Sequence, residues 1–218
     1  NNLNIIKSNL PKNITLVAVS KTKPACDIEI AYKSGQRIFG ENKVQELQEK
    51  QPILPKDIQW HMIGHLQTNK VKYIAPFVSL IHAVDSLKLL KEINKQAIKN
   101  NRKIPILLQF HIAKEQSKFG LSIEKANDLI TSEDFLNLKN ISIHGVMGMA
   151  TFTDNKNQIK TEFNKLKLIF DQLKRDYFKE SNQFKEISMG MSGDYELAIK
   201  EGSTMVRIGS TIFGSRKT

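Results

Sequence analysis

Eight short apolar stretches, separated by segments with helical spacing, constrain the fold of this chain more than any other feature. The first is Ile14 to Val19, a run of aliphatic and β-branched residues preceded by Pro11 and Asn13 and closed off by Pro24. That pattern predicts a strand buried on both faces. Further strands are predicted at Arg37–Gly40, Gln59–Gly64, Val78–Val84, Pro105–His111 and Ile141–Met147, with a short seventh beginning over Glu186–Ser188 and an eighth over Thr204–Ile208. Between them lie predicted helices at Cys26–Ser34, stopped by Gly35, at Glu41–Lys50, and at Gln67–Ala75, ended by Pro76. Ser86 caps a long amphipathic helix to about Asn100, and Ser122 opens another through Ile130. The longest, Lys156–Phe178, places Phe163, Leu166, Ile169, Phe170 and Leu173 on one stripe, and Asp194–Lys200 is short.

This alternation predicts an α/β fold, a single (β/α)₈ barrel of the TIM type occupying residues 1–218 as one domain. An open, doubly wound sheet is the rival, because alternation alone does not close a sheet. No G-x-G-x-x-G follows the first strand, however, and no Walker A sequence occurs.

The longest apolar runs, such as Ile104–Phe110, fall far short of the roughly 20 residues of a spanning helix, so the expectation is a cytoplasmic protein that does not enter a membrane. A lone cysteine, Cys26, can form no internal disulfide and supplies no metal-ligand spacing. The net charge of +11 raises the question of nucleic acid. With only five arginines against 28 lysines, dispersed among asparagines and isoleucines, the charge reads as a solvated surface, and no specific nucleic-acid partner is expected.

Lys21 follows the first strand directly, and in an α/β barrel that end is where sites are assembled. A lysine at the edge of a packed interior is driven toward the neutral amine, which attacks carbonyl carbons. The plain alternative is a surface lysine closing a strand. Downstream, Met189-Gly190-Met191-Ser192-Gly193-Asp194 sets amides and a hydroxyl at a helix start, which suits an anion or is simply an N-cap at Ser192. Gly209, Ser210 and Thr211 form a second such cluster where the eighth strand exits. Loops after strands seven and eight are the usual phosphate position of this barrel, so a phosphorylated ligand is expected. Arg207, inside the last strand, needs a ligand nitrogen, a carboxylate or a phosphate as partner, or is half of a buried ion pair.

An ordered set of motifs then resembles the YggS/PROSC family of pyridoxal phosphate homeostasis proteins, similar in fold to the N-terminal barrel of alanine racemase. The set comprises Val19-Ser20-Lys21-Thr22-Lys23-Pro24, Phe39-Gly40-Glu41-Asn42 with Val44-Gln45-Glu46, Trp60 through Gln67 with Asn69-Lys70, Ser117-Lys118-Phe119-Gly120, Gly145 through Met149, and the two C-terminal clusters. The segment before Thr15 is shorter than the family's usual first helix. The resemblance implies a fold type III barrel for pyridoxal 5′-phosphate (PLP) with a covalent aldimine to Lys21. It places Arg207 at the pyridine nitrogen, Ser192, Gly209, Ser210 and Thr211 at the phosphate, and Asn42 and Met149 along the ring. His61, His65 and His144 receive no role.

The implied function is PLP binding in intracellular PLP homeostasis, with the cofactor buffered or delivered by a monomer whose further partners are PLP-dependent apoenzymes. No enzymatic activity is expected. An arginine at the pyridine nitrogen weakens the ring as an electron sink, and a site open on one side suits uptake and release. The alternative is a single-domain PLP-dependent racemase or lyase, which shares the cofactor but needs an acid and a base on both ring faces.

Overall fold

Strand β1 (Thr15–Val19) pairs in parallel with β2 (Ile38–Glu41) on one side and β8 (Met205–Ile208) on the other, so the sheet closes on itself. The structure, a computed structural model, describes residues 2–114 and 119–214; Ser117 and Lys118 of the fourth motif and residues 215–218 lie outside these. β3 (Gln59–Met62), β4 (Leu80–Val84), β5 (Ile104–Gln109), β6 (Ile141–Met147) and β7 (Glu186–Met191) follow in order around an eight-stranded parallel barrel. Closure decides against the open sheet.

Helices α2 (Ala25–Lys33), α3 (Val44–Lys50), α4 (Val71–Ile74), α5 (Leu87–Lys99) and α6 (Ile123–Thr131) follow the first five strands, after α1 (Asn2–Asn9). A second piece, α7 (Glu133–Leu136), precedes β6, and α8 (Lys156–Asp176), α9 (Tyr195–Lys200) and α10 (Ser210–Phe213) follow the last three. Ser86 and Ser122 cap α5 and α6 as expected, each accepting an amide at 3.3 Å.

Each strand sends alternate residues inward and outward. Val17, Leu80, Leu107, Met147 and Met205 cluster inside the barrel, whereas Leu16, Ala18, Ile106, Leu108, Val146 and Val206 join the outer core under the helices. The short N-terminal segment does form a helix, because Leu3 and Ile6 on one face bury into that outer core.

Glu41 departs from expectation. It ends β2, in register with Met62, and is fully buried instead of opening a polar helix. Its carboxylate is accommodated by Lys50 Nζ at 2.8 Å and Ser20 Oγ at 2.6 Å. The segment predicted as a helix over Gln67–Ala75 is divided into a 3₁₀ turn, Thr68–Lys70, and α4. The third strand ends at Met62, two residues before Gly64, whose missing side chain has a specific use. A methyl carbon there would sit 2.4 Å from Asn42 O, so only glycine lets this loop close on the exit of β2.

Candidate functional site

The carboxyl ends of the strands surround one cavity of about 660 Å³, within the range of roughly 300–1,000 Å³ common for small-molecule sites. Lys21 follows β1, Asn42 β2, Met149 β6, Ser192 β7, and Gly209 and Ser210 β8, while Arg207 projects from β8 itself; all seven line the cavity. Thr211, expected at the phosphate, is exposed on α10 and is not among the lining residues. One residue further along a helical turn rotates its side chain by about 100°, away from the direction of Ser210.

Lys21 is half-buried in a tight turn in which the Lys23 amide donates to Ser20 O at 3.0 Å. The next residue, Thr22, has φ of 64°, a left-handed conformation that β-branched residues rarely adopt. Below this turn, burial pushes the Glu41 carboxyl up to about 7, against the hydrogen bonds from Lys50 and Ser20 that favour its charged form. Glu41 Oε2 has no hydrogen-bond partner, which adds to the cost of the anion.

Arg207 is buried, and its hydrogen bonds go to two uncharged acceptors, Ser188 Oγ at 2.6 Å and Gly148 O at 3.1 Å. Burial lowers its pKa to about 10, with Asp194 acting in the opposite sense, so it remains a cation at neutral pH. The expected alternative of a buried ion pair made through a hydrogen-bonded carboxylate is therefore not what the strand contains. Ser188 continues to His82 Nδ1 at 3.0 Å, and His82 Nε2 meets His61 Nδ1 at 3.0 Å. This polar run crosses the barrel interior behind the cavity. Burial lowers the pKa of His61 to about 3 and that of His82 well below the usual imidazole value, so both rings are neutral.

The two glycine and hydroxyl clusters meet. Ser192 Oγ accepts the Gly209 amide at 3.2 Å, so Ser192 does not cap α9 as expected. The N-cap position belongs to Asp194, whose Oδ1 accepts the Met191 amide at 2.5 Å. With its oxygen engaged by Gly209, the Ser192 hydroxyl keeps its own hydrogen to donate. The first amides of α10, at Ser210 and Thr211, have no acceptor within the helix.

Several residues at the cavity have no site role expected from the sequence. His65 stacks on Phe119 with centroids 4.5 Å apart, and both line the cavity with Gln109 and Phe152. Glu162 on α8 accepts the amides of Thr151, at 2.6 Å, and Lys114, at 3.2 Å, fastening the β6 loop that lines the cavity to the loop after β5. A Glu inside an amphipathic helix looks like any solvated charge. The His144 ring, by contrast, pairs with Ser142 Oγ at 3.1 Å and does not line the cavity. No cluster of three or more metal-ligating side chains occurs among the described residues, nor any helix long and apolar enough to cross a membrane.

A closed parallel barrel with a lysine after β1, an arginine in β8 and glycine- and serine-bearing loops after β7 and β8 has the form of the alanine racemase N-terminal barrel, and the family model for that domain matches residues 1–217. Within that class the chain belongs to the pyridoxal phosphate homeostasis protein family. It is 40% identical to the pyridoxal phosphate homeostasis protein of Aquifex aeolicus over 203 residues, 93% of this chain and 87% of that one. It is 36% identical to the one from Escherichia coli K12, over 94% of this chain and 87% of the relative. The structure of PipY from Synechococcus elongatus with PLP bound superposes with a TM-score of 0.88 at 33% identity, covering 98% of both chains. Alanine racemase from Clostridium difficile shares the fold alone, with a TM-score of 0.79 at 18% identity over 59% of its length. The relatives bear a homeostasis name and not that of an enzyme, in keeping with the expectation of no catalytic activity.

Proposed function

We propose that this protein acts in PLP homeostasis by holding PLP in the strand-end cavity through a reversible covalent link to Lys21, and that it buffers the cofactor or passes it to PLP-dependent apoenzymes. The observation that carries this is the convergence of Lys21, Arg207, Ser192, Gly209 and Ser210 on one cavity. The donor set suits the group's chemistry. An amine answers an aldehyde, a hydroxyl and helix-start amides answer a phosphate, and a buried cation without a hydrogen-bonded carboxylate answers a heterocyclic nitrogen. When bound, PLP supplies an aldehyde carbon open to amines and a pyridine ring able to accept electron density.

In this reading Lys21 is the covalent anchor, Ser192 with the Gly209–Ser210 loop is the phosphate hold, and Asn42 and Met149 border the ring. Arg207 stays charged at neutral pH, and a fixed cation beside a pyridine nitrogen disfavours its protonation. That favours a carrier over a catalyst of carbanion chemistry.

Titration of the purified protein with PLP tests this. A visible imine band should form, and borohydride should bleach it and leave one label, on Lys21. Absence of both band and label, or a label elsewhere, sinks the proposal.

A further inference from the structure

We infer that Glu46 and Lys50, an ion pair one turn apart on α3, are positioning residues that clamp both peptide groups flanking Lys21 and so set how fast its amine captures an aldehyde. The inference rests on the Lys21 anchor proposed above. Glu46 Oε2 accepts the amide of Thr22, the residue after Lys21, at 2.7 Å. Lys50 Nζ donates to the carbonyl of Ser20, the residue before it, at 3.0 Å. The two side chains are joined at 2.7 Å and are largely withdrawn from solvent.

Each bond meets a specific need of the turn. Thr22 holds φ of 64°, and such a conformation persists only where its surroundings over-determine it. Glu46 supplies the acceptor that fixes the Thr22 amide there. Ser20 O accepts from both Lys50 Nζ and the Lys23 amide, so both of its lone-pair directions are used. Lys50 donates thirdly to Glu41 Oε1 at 2.8 Å, which uses all three ammonium hydrogens and leaves the clamp no free rotation. The clamp is itself anchored, since Val44 and Leu47 of α3 are buried in the outer core.

Capture is addition of the neutral Lys21 amine to the aldehyde carbon, with loss of one water and formation of a carbon–nitrogen double bond; water reverses it. The addition depends steeply on where the amine nitrogen stands. The phosphate hold, built from β7 and β8, does not involve α3.

The test compares wild type, Glu46→Ala and Glu46→Gln. Stopped-flow absorbance reads imine formation with PLP, and titration reads affinity for pyridoxine 5′-phosphate, which carries the phosphate and ring but no aldehyde. Glu46→Ala should slow capture at least tenfold, and Glu46→Gln, which keeps an acceptor for Thr22, should stay within threefold of wild type. Pyridoxine 5′-phosphate affinity should stay within twofold throughout. Should Glu46→Ala fail to fold, Glu46→Asp, too short to reach Thr22, should slow capture at least threefold. Capture at the wild-type rate in Glu46→Ala or, in that case, Glu46→Asp, or an equal loss of pyridoxine 5′-phosphate affinity, overturns the clamp. A wild type that forms no trappable link overturns the Lys21 anchor and the clamp with it, whereas failure of the clamp alone leaves wild-type capture intact.

Discussion

Ser192 Oγ accepts the amide hydrogen of Gly209 at 3.2 Å and thereby ties the exit of β7 to the exit of β8. Substituting Ser192→Ala removes both this tie and the hydroxyl hydrogen proposed to reach the phosphate. PLP should then be released faster, at a cost of about 1 to 3 kcal/mol for a lost bond to a charged group, while the covalent link still forms. Unphosphorylated pyridoxal should be affected little. Dialysis and titration with both ligands measure this, and equal weakening of the two refutes the phosphate assignment.

Arg207 reaches Ser188 and Gly148 but no hydrogen-bonded carboxylate, which leaves its charge available to a ring nitrogen. Arg207→Ala should therefore shift the absorption and pKa of the bound imine by more than it changes phosphate affinity. A pH titration of the visible spectrum reads both. An unchanged spectrum assigns the arginine to the Ser188 and Gly148 contacts alone.

Gly64 and Asn42 approach so closely that Gly64→Ala would put a methyl 2.4 Å from Asn42 O and 2.8 Å from its Cα. Both are backbone atoms, so the β2 exit must move, at a cost of about 1 to 3 kcal/mol typical of overpacking. Because Asn42 lines the cavity, PLP affinity should fall as well. Gly193→Ala, where a methyl meets nothing within 4 Å, serves as the comparison and should fold as stably as wild type in urea.

The legible parts of this molecule are those carried by local pattern. Lys21 stands out because an apolar run ends abruptly in Ser-Lys-Thr-Lys-Pro, and the loops proposed for the phosphate because glycine and hydroxyl residues cluster twice after predicted strands. What stays hidden depends on closure of the barrel. His61 and His82 are 21 residues apart and meet only because β3 and β4 are neighbours with both side chains inward. Glu41 and Lys50 read as helix-surface charges until β2 extends through Glu41 and α3 folds back over it. Ser192 reads equally well as a cap, because its bond to Gly209 spans two strand exits.

The buried histidines and Glu41 make opposite contributions to acid stability. His61 is held neutral, its pKa lowered from 6.5 to about 3, so below pH 6.5 the unfolded chain takes up a proton that the fold refuses. Its stabilisation is complete above pH 6.5 and is lost as pH falls toward 3, with about 2 kcal/mol gone by pH 5. His82, lowered by burial and by the nearby His61 and Arg207, acts in the same direction. Glu41 is raised from 4.5 to about 7, so its stabilisation is full below pH 4.5 and disappears as pH rises through 7; between pH 8 and 5 it regains about 2 to 3 kcal/mol. Glu41 thus opposes the loss of stability that the two histidines cause over that interval. Glu41→Gln should steepen the loss and His82→Gln should flatten or reverse it. Urea unfolding at pH 8, 6.5 and 5 on the three proteins reads the slopes. A Glu41→Gln slope equal to that of wild type means that Glu41 stays ionised beside Lys50, and a His82→Gln slope unchanged from wild type means that the ring takes its proton in the folded state.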